Sequence, residues 1–446
     1  RFNWEAPFSI SQFNPKVFYM SGNRVLKSMD RGDDLYPISP DLSTADTAKV
    51  HVSLVTTGGI TNDATGAENY CTIVSLAESY LRPGWLYAGT DDGNVWMTHD
   101  DGANWEKLNG RFPGVPAGTY VSRIEPSHFD TNTFFVAFDN HRTNDFGVYL
   151  YETNDGGRTF HSIASDLPTG GPDYVHVIRE DPYNKNLLFV GTSRAAYASI
   201  DGGAHWSRFM ADLPTVPVYD LQIQPRDHDL IAATFGRGIW IANIAPIEQL
   251  DSKVLASNVH LFQPVTAYQY GQGPEVGASA NGAGQQVFEA PSPTYGANVS
   301  YRLANSVRGG VHVIVSNVQG DTIGNLTGPG QAGIHTVTWN YQSSQRPPVA
   351  ALSHSELRDS ILQARKTEHV IDSLSKSGVD PKVIAELQRV AKTGDIGALF
   401  GRGRGGRGGR GGAPGGFVAR PAEGPVPGGS ARGGRGGGGG GAPDVM

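Results

Sequence analysis

Residues 199–209, SIDGGAHWSRF, combine a serine, an aspartate, two glycines and a tryptophan within one short acidic segment. The same spacing occurs three more times, and the four copies are SMDRGDDL (28–35), THDDGANW (98–105), TNDGGRTF (153–160) and SIDGGAHW (199–206). The aspartates at the third position of successive copies are 70, 55 and 46 residues apart. A unit that recurs at this period is typical of a propeller blade or a solenoid repeat. We call these four segments the acidic turns, and they predict a repeat fold.

Strand-like runs precede each acidic turn. Residues 119–163 read TYVSRIEPS, TFFVAFDN, GVYLYET, the turn and TFHSI, and residues 173–209 repeat this order. Runs rich in Val, Ile, Tyr, Phe and Thr between Gly, Asn and Asp are typical of β-hairpins, and four antiparallel strands form one propeller blade. We therefore expect an all-β propeller of about five blades, part of a larger one, near 5–39, 71–108, 119–163, 173–209 and 216–243. Residues 50–70 form an insertion.

Composition changes along the chain and predicts five regions. They are propeller blades at 1–245, a linker at 246–257, a small β-sandwich at 258–345, a helical hairpin at 346–399 and a Gly/Arg-rich tail at 400–446. Alternating short strands predict the sandwich, while the capping box Ser353-x-x-Glu356 and the pair Asp380-Pro381 predict two helix starts. The tail has too few apolar residues to offset backbone entropy, which predicts disorder.

Charge and cysteine content limit the classes of partner and of covalent cross-link that this chain can have. The formal net charge is −7, but the tail has seven Arg against Glu423 and Asp444, so the preceding chain is more acidic still. An acidic body does not favour nucleic acid. The segment GRGRGGRGGRGG (401–412) resembles RNA-binding RGG segments but is better explained as a flexible spacer or a surface-adhesive tail. Cys71 is the only cysteine and excludes an intrachain disulfide. No apolar run reaches the roughly 20 residues of a transmembrane helix. Because the chain begins with Arg1, we expect a processed or partial product.

Every residue type in the acidic turns has a structural use. Glycine permits the positive φ of a tight turn, and the aspartate and hydroxyl groups can hydrogen-bond backbone N–H groups there. The aromatic residue is expected to pack against the neighbouring blade. Four copies with drifting neighbours argue against catalysis. The residues assigned this structural role are Ser28, Asp30, Gly32, Thr98, Asp100, Gly102, Trp105, Thr153, Asp155, Gly157, Phe160, Ser199, Asp201, Gly203 and Trp206.

The pattern S/T-x-D-x-G-x-x-W/F resembles the Asp-box, or bacterial neuraminidase repeat, of sialidases, xyloglucanase-type hydrolases and sortilin-type receptors. With residues 66–105 and ATFGRGIWIAN (233–243), it is similar to bacterial exported proteins that carry a sortilin-like, glycosyl-hydrolase-like propeller. The region after it resembles a flagellar-hook-cap-type immunoglobulin-like module, with Gly333 and Trp339-Asn340 at its end. The resemblance implies further upstream blades and a secreted, periplasmic or cell-surface location.

Three functions stay open. The first is non-catalytic binding of an extracellular polysaccharide, peptide or protein partner; the others are glycoside hydrolysis and a structural role in a surface layer. Binding is favoured because no catalytic set is recognisable: the propeller's Tyr, Glu and Arg residues show no sialidase-like clamp. Glycosidases also need two carboxylates about 5 to 9.5 Å apart, and the adjacent Asp91 and Asp92 should point in opposite directions. We assign no catalytic residue.

Exposed loop residues are the candidates for ligand binding. They are Asp91, Asp92, His141, Arg142, Arg194 and Arg237. No metal or cofactor is expected: residues 100–104 lack the ligand spacing of a calcium loop, and the histidines show no zinc-binding motif. The sequence sets neither the ligand nor the oligomeric state.

Overall fold

The computed structural model describes residues 1–51, 69–209, 212–270, 294–343 and 354–393. The expected insertion lies mostly outside these ranges, and Ser353 and the Gly/Arg-rich tail lie wholly outside them. The chain divides into two compact units, Arg1–Arg346 and Pro347–Met446. We describe each unit by itself.

Five antiparallel sheets follow one another in the first unit. The first sheet contains β1 (Phe8–Ile10), β2 (Phe18–Ser21), β3 (Val25–Ser28) and β4 (Tyr36–Pro37), and the second contains β5 (Ile73–Glu78), β6 (Leu86–Thr90), β7 (Val95–Thr98) and β8 (Glu106–Lys107). The third contains β9 (Tyr120–Pro126), β10 (Phe134–Asp139), β11 (Tyr149–Thr153) and β12 (His161–Ser162), and the fourth contains β13 (Val175–Glu180), β14 (Leu188–Thr192), β15 (Ala196–Ser199) and β16 (Ser207–Phe209). The fifth contains three strands, β17 (Val218–Gln224), β18 (Asp229–Thr234) and β19 (Ile239–Asn243). Strands pair in chain order within each sheet. The predicted all-β propeller fold is confirmed.

Apolar side chains fill the space between successive sheets. The consecutive residues Phe134 and Phe135 are both buried. Phe134 packs with Tyr87 of the second sheet, whereas Phe135 packs with Ile178 of the fourth. Neighbouring residues on a strand point to opposite faces, so one strand supplies two interfaces. Each such fully buried side chain contributes about 1.5–3 kcal/mol, and the stacked sheets are therefore held mainly by burial.

The outward faces of the first and fifth sheets carry apolar side chains that lie in solvent. Phe8 and Ile10 are 74% and 63% exposed, and Ile239 and Ile241 are 71% and 65% exposed. Within the described ranges, no sheet covers these two faces. They differ from the equivalent faces of the middle sheets, which neighbouring sheets bury.

The two ends of each sheet carry different turns. In a strand meander, the turn between the third and fourth strands lies at one end, and the turn between the second and third strands lies at the other. All four acidic turns join third to fourth strands, so we call that edge the acidic end. The other edge, the mouth end, carries the turns at 22–24, 91–94, 140–148, 193–195 and 235–238. The turn at 140–148 includes a 3₁₀ helix, His141–Thr143.

The remainder of the first unit is built from short elements. A helix α1 (Thr47–Val50) precedes the second sheet; α2 (Ala245–Glu248) and α3 (Ser252–Ala256) follow the fifth; a sheet of β20 (Val259–Leu261), β21 (Ala297–Leu303) and β24 (Gly333–Trp339) and a hairpin of β22 (Val311–Ser316) and β23 (Thr322–Gly328) come last. The expected linker thus contains two helices. Asp251 caps α3 by accepting a 2.7 Å hydrogen bond from the Val254 N–H.

The second unit contains two helices, α4 (His354–Lys376) and α5 (Pro381–Thr393). Gly378, with φ +82°, lies in the turn between them. Asp380 accepts a hydrogen bond from the Lys382 N–H and begins α5. Ile371 of α4 and Ile384 of α5 are buried.

Candidate functional site

The first strands of the five sheets surround a cavity of about 620 Å³. This volume is within the usual range of roughly 300–1,000 Å³ for ligand sites. Its charged and aromatic lining side chains are Glu5, Phe8, Glu78, Tyr80, Tyr120, Arg123, Glu125, Asp139, His141, Arg142, His176, Arg179, Tyr219 and Asp220. We call this space the channel. Its lining is mostly polar although the strands around it are mostly apolar.

The mouth end of the channel is organised around Asp139, which ends β10 and is 3% exposed. The Nδ1 atom of His141 lies 2.6 Å from one Asp139 oxygen and 2.8 Å from the other. An Arg142 guanidinium nitrogen lies 3.7 Å from the same carboxylate, and that guanidinium lies over the Tyr120 ring at 4.4 Å. The tyrosine hydroxyl donates to Glu5. The predicted residues His141 and Arg142 therefore belong to the channel.

A continuous row of rings crosses from the third sheet to the fifth at the mouth end. His141 stacks on Tyr174 at 4.4 Å, Tyr174 meets His176 edge to face at 5.0 Å, and His176 stacks on Tyr219 at 4.2 Å. Tyr219 then meets Phe235 at 5.6 Å. We call these five side chains the ring row. His176 is buried, whereas Tyr219 and Phe235 are 41% and 71% exposed, so the row leads from a buried ring to an open apolar surface.

Deeper in the channel, two arginines and two acids form an ion network. Arg179 pairs with Glu125 and lies 3.4 Å from Asp220. Arg123 donates to the same Asp220 oxygen over 2.7 Å. Although burial alone would lower the pKa of Arg179, the attraction of Glu125 raises it above its usual value. The two positive and two negative charges balance, and a buried network of this kind is costly to break.

Each acid of the channel already accepts a bond from the protein. Glu125 binds Arg179 and the Tyr80 hydroxyl, and Asp220 binds Arg123. Asp139 binds His141, Glu5 binds Tyr120, and Glu78 accepts from the Gly84 N–H over 3.1 Å. A glycosidase uses two carboxyl groups beside its substrate, one protonated as the acid and one ionised as the nucleophile or base. The second oxygen of Glu78, Oε2, is buried and has no partner among the described residues.

Asp91 and Asp92 were predicted as exposed ligand-binding residues, and this prediction is wrong. Each is 3% exposed. Asp91 accepts from the N–H and hydroxyl of Thr72 over 2.9 and 2.7 Å, and Asp92 accepts from the N–H and hydroxyl of Thr44, both over 2.7 Å. Burial raises the pKa of Asp91 to about 6. The chain that precedes the second sheet covers this turn, so both carboxylates fasten it instead of facing solvent.

The last two predicted ligand residues lie at the mouth end but outside the channel lining. Arg194 is exposed and lies 3.6 Å from Asp173. Arg237 occupies the exposed turn of the fifth sheet, where its carbonyl accepts from the Trp240 indole over 3.0 Å. The structure therefore brings together His141 and Arg142 but not the other four candidates.

Three acidic turns share one hydrogen-bond arrangement. The hydroxyls of Thr98, Thr153 and Ser199 each accept from the glycine N–H four residues later, over 3.1, 3.0 and 2.8 Å, and each donates 2.8 Å to the aspartate. The residue four positions after the aspartate closes the loop: Asn104, Thr159 and His205 each lie 2.7 Å from its second carboxylate oxygen. The glycines Gly102, Gly157 and Gly203 have φ of +88°, +83° and +88°. These bonds fix the turn locally.

The aromatic residue of the second, third and fourth turns packs toward the preceding sheet. Trp105 donates to the Ile38 carbonyl over 3.1 Å, and Trp206 donates to the Ile163 carbonyl over 2.7 Å. Phe160 packs with Leu108 and Phe112. Three of the four acidic turns thus join two sheets by one ring, and the first turn has Leu35 at this position.

The first acidic turn differs, and the predicted role of Asp30 as acceptor is wrong. Ser28 still accepts from the Gly32 N–H over 2.8 Å, and Gly32 has φ +106°. Asp34, however, accepts from the Ser28 hydroxyl and from the N–H groups of Met29 and Asp30. A carboxylate at the closing position cannot donate to another carboxylate. Asp34 therefore takes the acceptor position that the aspartate holds in the other three turns.

Sequence reasoning did not foresee the ion network or the ring row. Arg123 and Asp220 are 97 positions apart, and Arg179 and Glu125 are 54 apart. The available signal was a polar residue within the first strand of each repeat, as in YVSRIE and VHVIRE. A charged residue inside a strand buried by sheets on both sides has only the central channel to face.

No group of three or more His, Cys, Asp and Glu side chains within the described ranges is placed to hold a metal ion. None of the helices that the structure describes is long and apolar enough to cross a membrane.

No family model and no curated protein matches the chain. Among solved structures, a glycoside hydrolase family 74 xyloglucanase from Xanthomonas campestris is similar at 18% identity and TM-score 0.39, over 53% of this chain and 36% of that one. A family 74 enzyme from Niastella koreensis is similar at 15% identity and TM-score 0.36, over 50% and 33%.

The extracellular domain of a putative one-component system from B. thetaiotaomicron is similar at 14% identity and TM-score 0.34, over 52% of this chain and 25% of that one. This chain thus spans about a third, or less, of the structures it resembles. Likenesses at this level concern the strand arrangement and carry no argument about activity.

Proposed function

We propose that this chain is a non-catalytic extracellular binding protein whose ligand, a polysaccharide, peptide or partner protein, occupies the channel and its mouth end. The observation that carries the proposal is the ring row, which leads from exposed Phe235 and Tyr219 into a polar cavity. Aromatic surface beside a few fixed polar groups is what small binding sites use. The partners that Glu125, Asp220, Asp139 and Glu5 already hold support binding over hydrolysis.

The finer identifications belong to the same proposal. We assign the acidic turns to Asp-box repeats, supported by the hydroxyl-to-glycine bond that all four copies share. We assign the strands between 258 and 345 to an immunoglobulin-like module. A secreted, periplasmic or cell-surface location follows from the resemblance of these modules to exported bacterial proteins.

The test is a binding screen of the full chain by calorimetry against soluble neutral polysaccharides, acidic polysaccharides and peptide mixtures. We expect a ligand whose affinity falls about tenfold or more in Arg142→Ala, because Arg142 lines the mouth end, and is unchanged in Arg194→Ala. Both arginines are exposed on neighbouring turns, so the second variant controls for charge.

Release of new reducing ends from a polysaccharide, abolished by Glu125→Gln in a chain that still folds, would replace binding by glycoside hydrolysis. Binding that is equally weakened by both arginine variants would place the ligand outside the channel.

A further inference from the structure

The outer edges of the five propeller sheets differ in length and chemistry. The first four sheets end in fourth strands of two or three residues, which are β4, β8, β12 and β16. Among these strands, β4 contains Pro37, β8 is Glu106-Lys107, and β16 contains Arg208. Proteins protect exposed sheet edges with short strands, proline and charge, because a bare edge pairs readily with other chains. The first four sheets are protected in this way.

The fifth sheet ends differently, in the five-residue strand β19 (IWIAN, Ile239–Asn243). This strand contains no charged residue and no proline. Its side chains Ile239 and Ile241 are 71% and 65% exposed, and no strand in the described ranges pairs with the outer side of β19. Among the outer edges of these five sheets, β19 therefore lacks the protection that the other four have.

The hydrogen-bond register shows which backbone groups of β19 are free. Thr234 of β18 lies opposite Gly238 and donates its N–H to the Gly238 carbonyl over 3.2 Å. Bonded and non-bonded pairs alternate along an antiparallel ladder, so the even-numbered residues of β19 bond to β18. The odd-numbered residues direct their N–H and C=O groups outward, and the described part of the chain forms no hydrogen bond to these groups.

A second copy of the same strand fits this edge. When two copies of β19 run antiparallel about a two-fold axis, Ile241 lies opposite Ile241, and Ile239 lies opposite Asn243. Each copy then supplies the N–H and C=O groups that the other lacks. Because the strand is uncharged, the pairing brings no like charges together. The exposed isoleucines of both copies lie on one face of the joined sheet and shield each other from water.

We propose that this chain forms a symmetric dimer in which β19 pairs antiparallel with β19 of a second copy and joins two three-stranded sheets into one sheet of six strands. The proposal does not depend on the channel being a ligand site. Antiparallel pairing sets the mouth end of each copy beside the acidic end of the other, so the two channels open in opposite directions. Since a single strand pair is a small interface, we expect a weak dimer with a dissociation constant in the micromolar range.

The test measures the mass of the full chain by sedimentation equilibrium across the micromolar concentration range. We expect the wild type to change from monomer to dimer as its concentration rises and to stop at the dimer, because a two-fold interface closes on itself. Hydrogen exchange at residues 239–243 should slow with the same concentration dependence, since pairing protects their outward amide groups.

Two variants of one residue test the pairing itself. Ile241→Pro removes an outward N–H and keeps the bonds to β18, a place where an edge strand tolerates proline. Ile241→Lys sets two like charges directly opposite each other, at a side chain that already lies in solvent, so this variant serves if the proline variant does not fold. Each should weaken the dimer tenfold or more. The matched control is Ile314→Lys on β22, where Ile314 is 61% exposed, and it should leave the dimer unchanged.

Three results would overturn the proposal. The first is a chain that stays monomeric at every concentration. The second is a dimer that both Ile241 variants leave intact, because its contact then lies elsewhere. The third is an assembly that grows beyond two copies and is abolished by Phe8→Lys, which would place the exposed face of the fifth sheet against the first sheet of another copy.

Discussion

The acidic end and the mouth end of the propeller belong to the same sheets, but the acidic turns recur from sheet to sheet whereas the mouth-end turns vary. At the acidic end, one set of bonds recurs in three turns and survives in altered form in the fourth. At the mouth end, the turns have different lengths and different side chains in every sheet. Side chains that recur in successive sheets stabilise the contacts between the sheets. Side chains that differ from sheet to sheet can bind a ligand that contacts all of the sheets.

The largest expected contrast between the two ends comes from removing one ring from each. Trp206→Ala should cost about 3–5 kcal/mol in the free energy of unfolding, because Trp206 is buried and bonded to Ile163. Tyr219→Ala should cost about 1 kcal/mol or less, because Tyr219 is 41% exposed. Urea unfolding of both variants measures the difference. Similar costs would mean that the mouth end stabilises the sheets as much as the acidic end does.

A smaller effect is expected from one substitution made at both ends of the fourth sheet. Ser199→Ala removes the acceptor of the Gly203 N–H and should cost about 1–2 kcal/mol. Ser193→Ala, in the mouth-end turn, should be neutral within about 0.5 kcal/mol or slightly stabilising, because the buried Ser193 hydroxyl has no partner among the described residues. The same unfolding curves report both values. A large loss in Ser193→Ala would contradict the structural contrast.

The smallest effect tests the closing position of the fourth acidic turn. The hydrogen bond to Asp201 raises the pKa of His205 above its usual value of about 6.5. The charged pair therefore stabilises the fold below pH 6.5, and this contribution is lost as pH rises through the raised pKa. His205→Asn installs the side chain that Asn104 provides in the second turn. The thermal midpoint of the wild type minus that of the variant should fall by about 1–2 °C or less between pH 6 and 9.

High salt is the control for that measurement, because it should reduce the pH-dependent difference for an exposed pair. A difference that grows with rising pH would show that His205 does not act through its charge.

Local patterns predicted the acidic turns and missed the environment of other turns. The spacing of Ser199, Asp201 and Gly203 defines a turn that closes on itself, and the structure places its equivalents between the third and fourth strands of four successive sheets. Asp91 and Asp92 also occupy a glycine-containing turn, yet Thr44 and Thr72 bury them. No residue within five positions of that turn indicates that other segments of the chain bury it.

Composition and spacing by themselves determined the strand repeat, the all-β class and the turns that join neighbouring strands, because those features depend on residues a few positions apart. Only the tertiary structure decided the site. It brought Arg123 to Asp220 and His141 to the ring row by arranging the sheets around one channel. The reason is physical. The alternation of side chains along a strand depends on adjacent residues, whereas the centre of the propeller is formed by strands from five separate repeats.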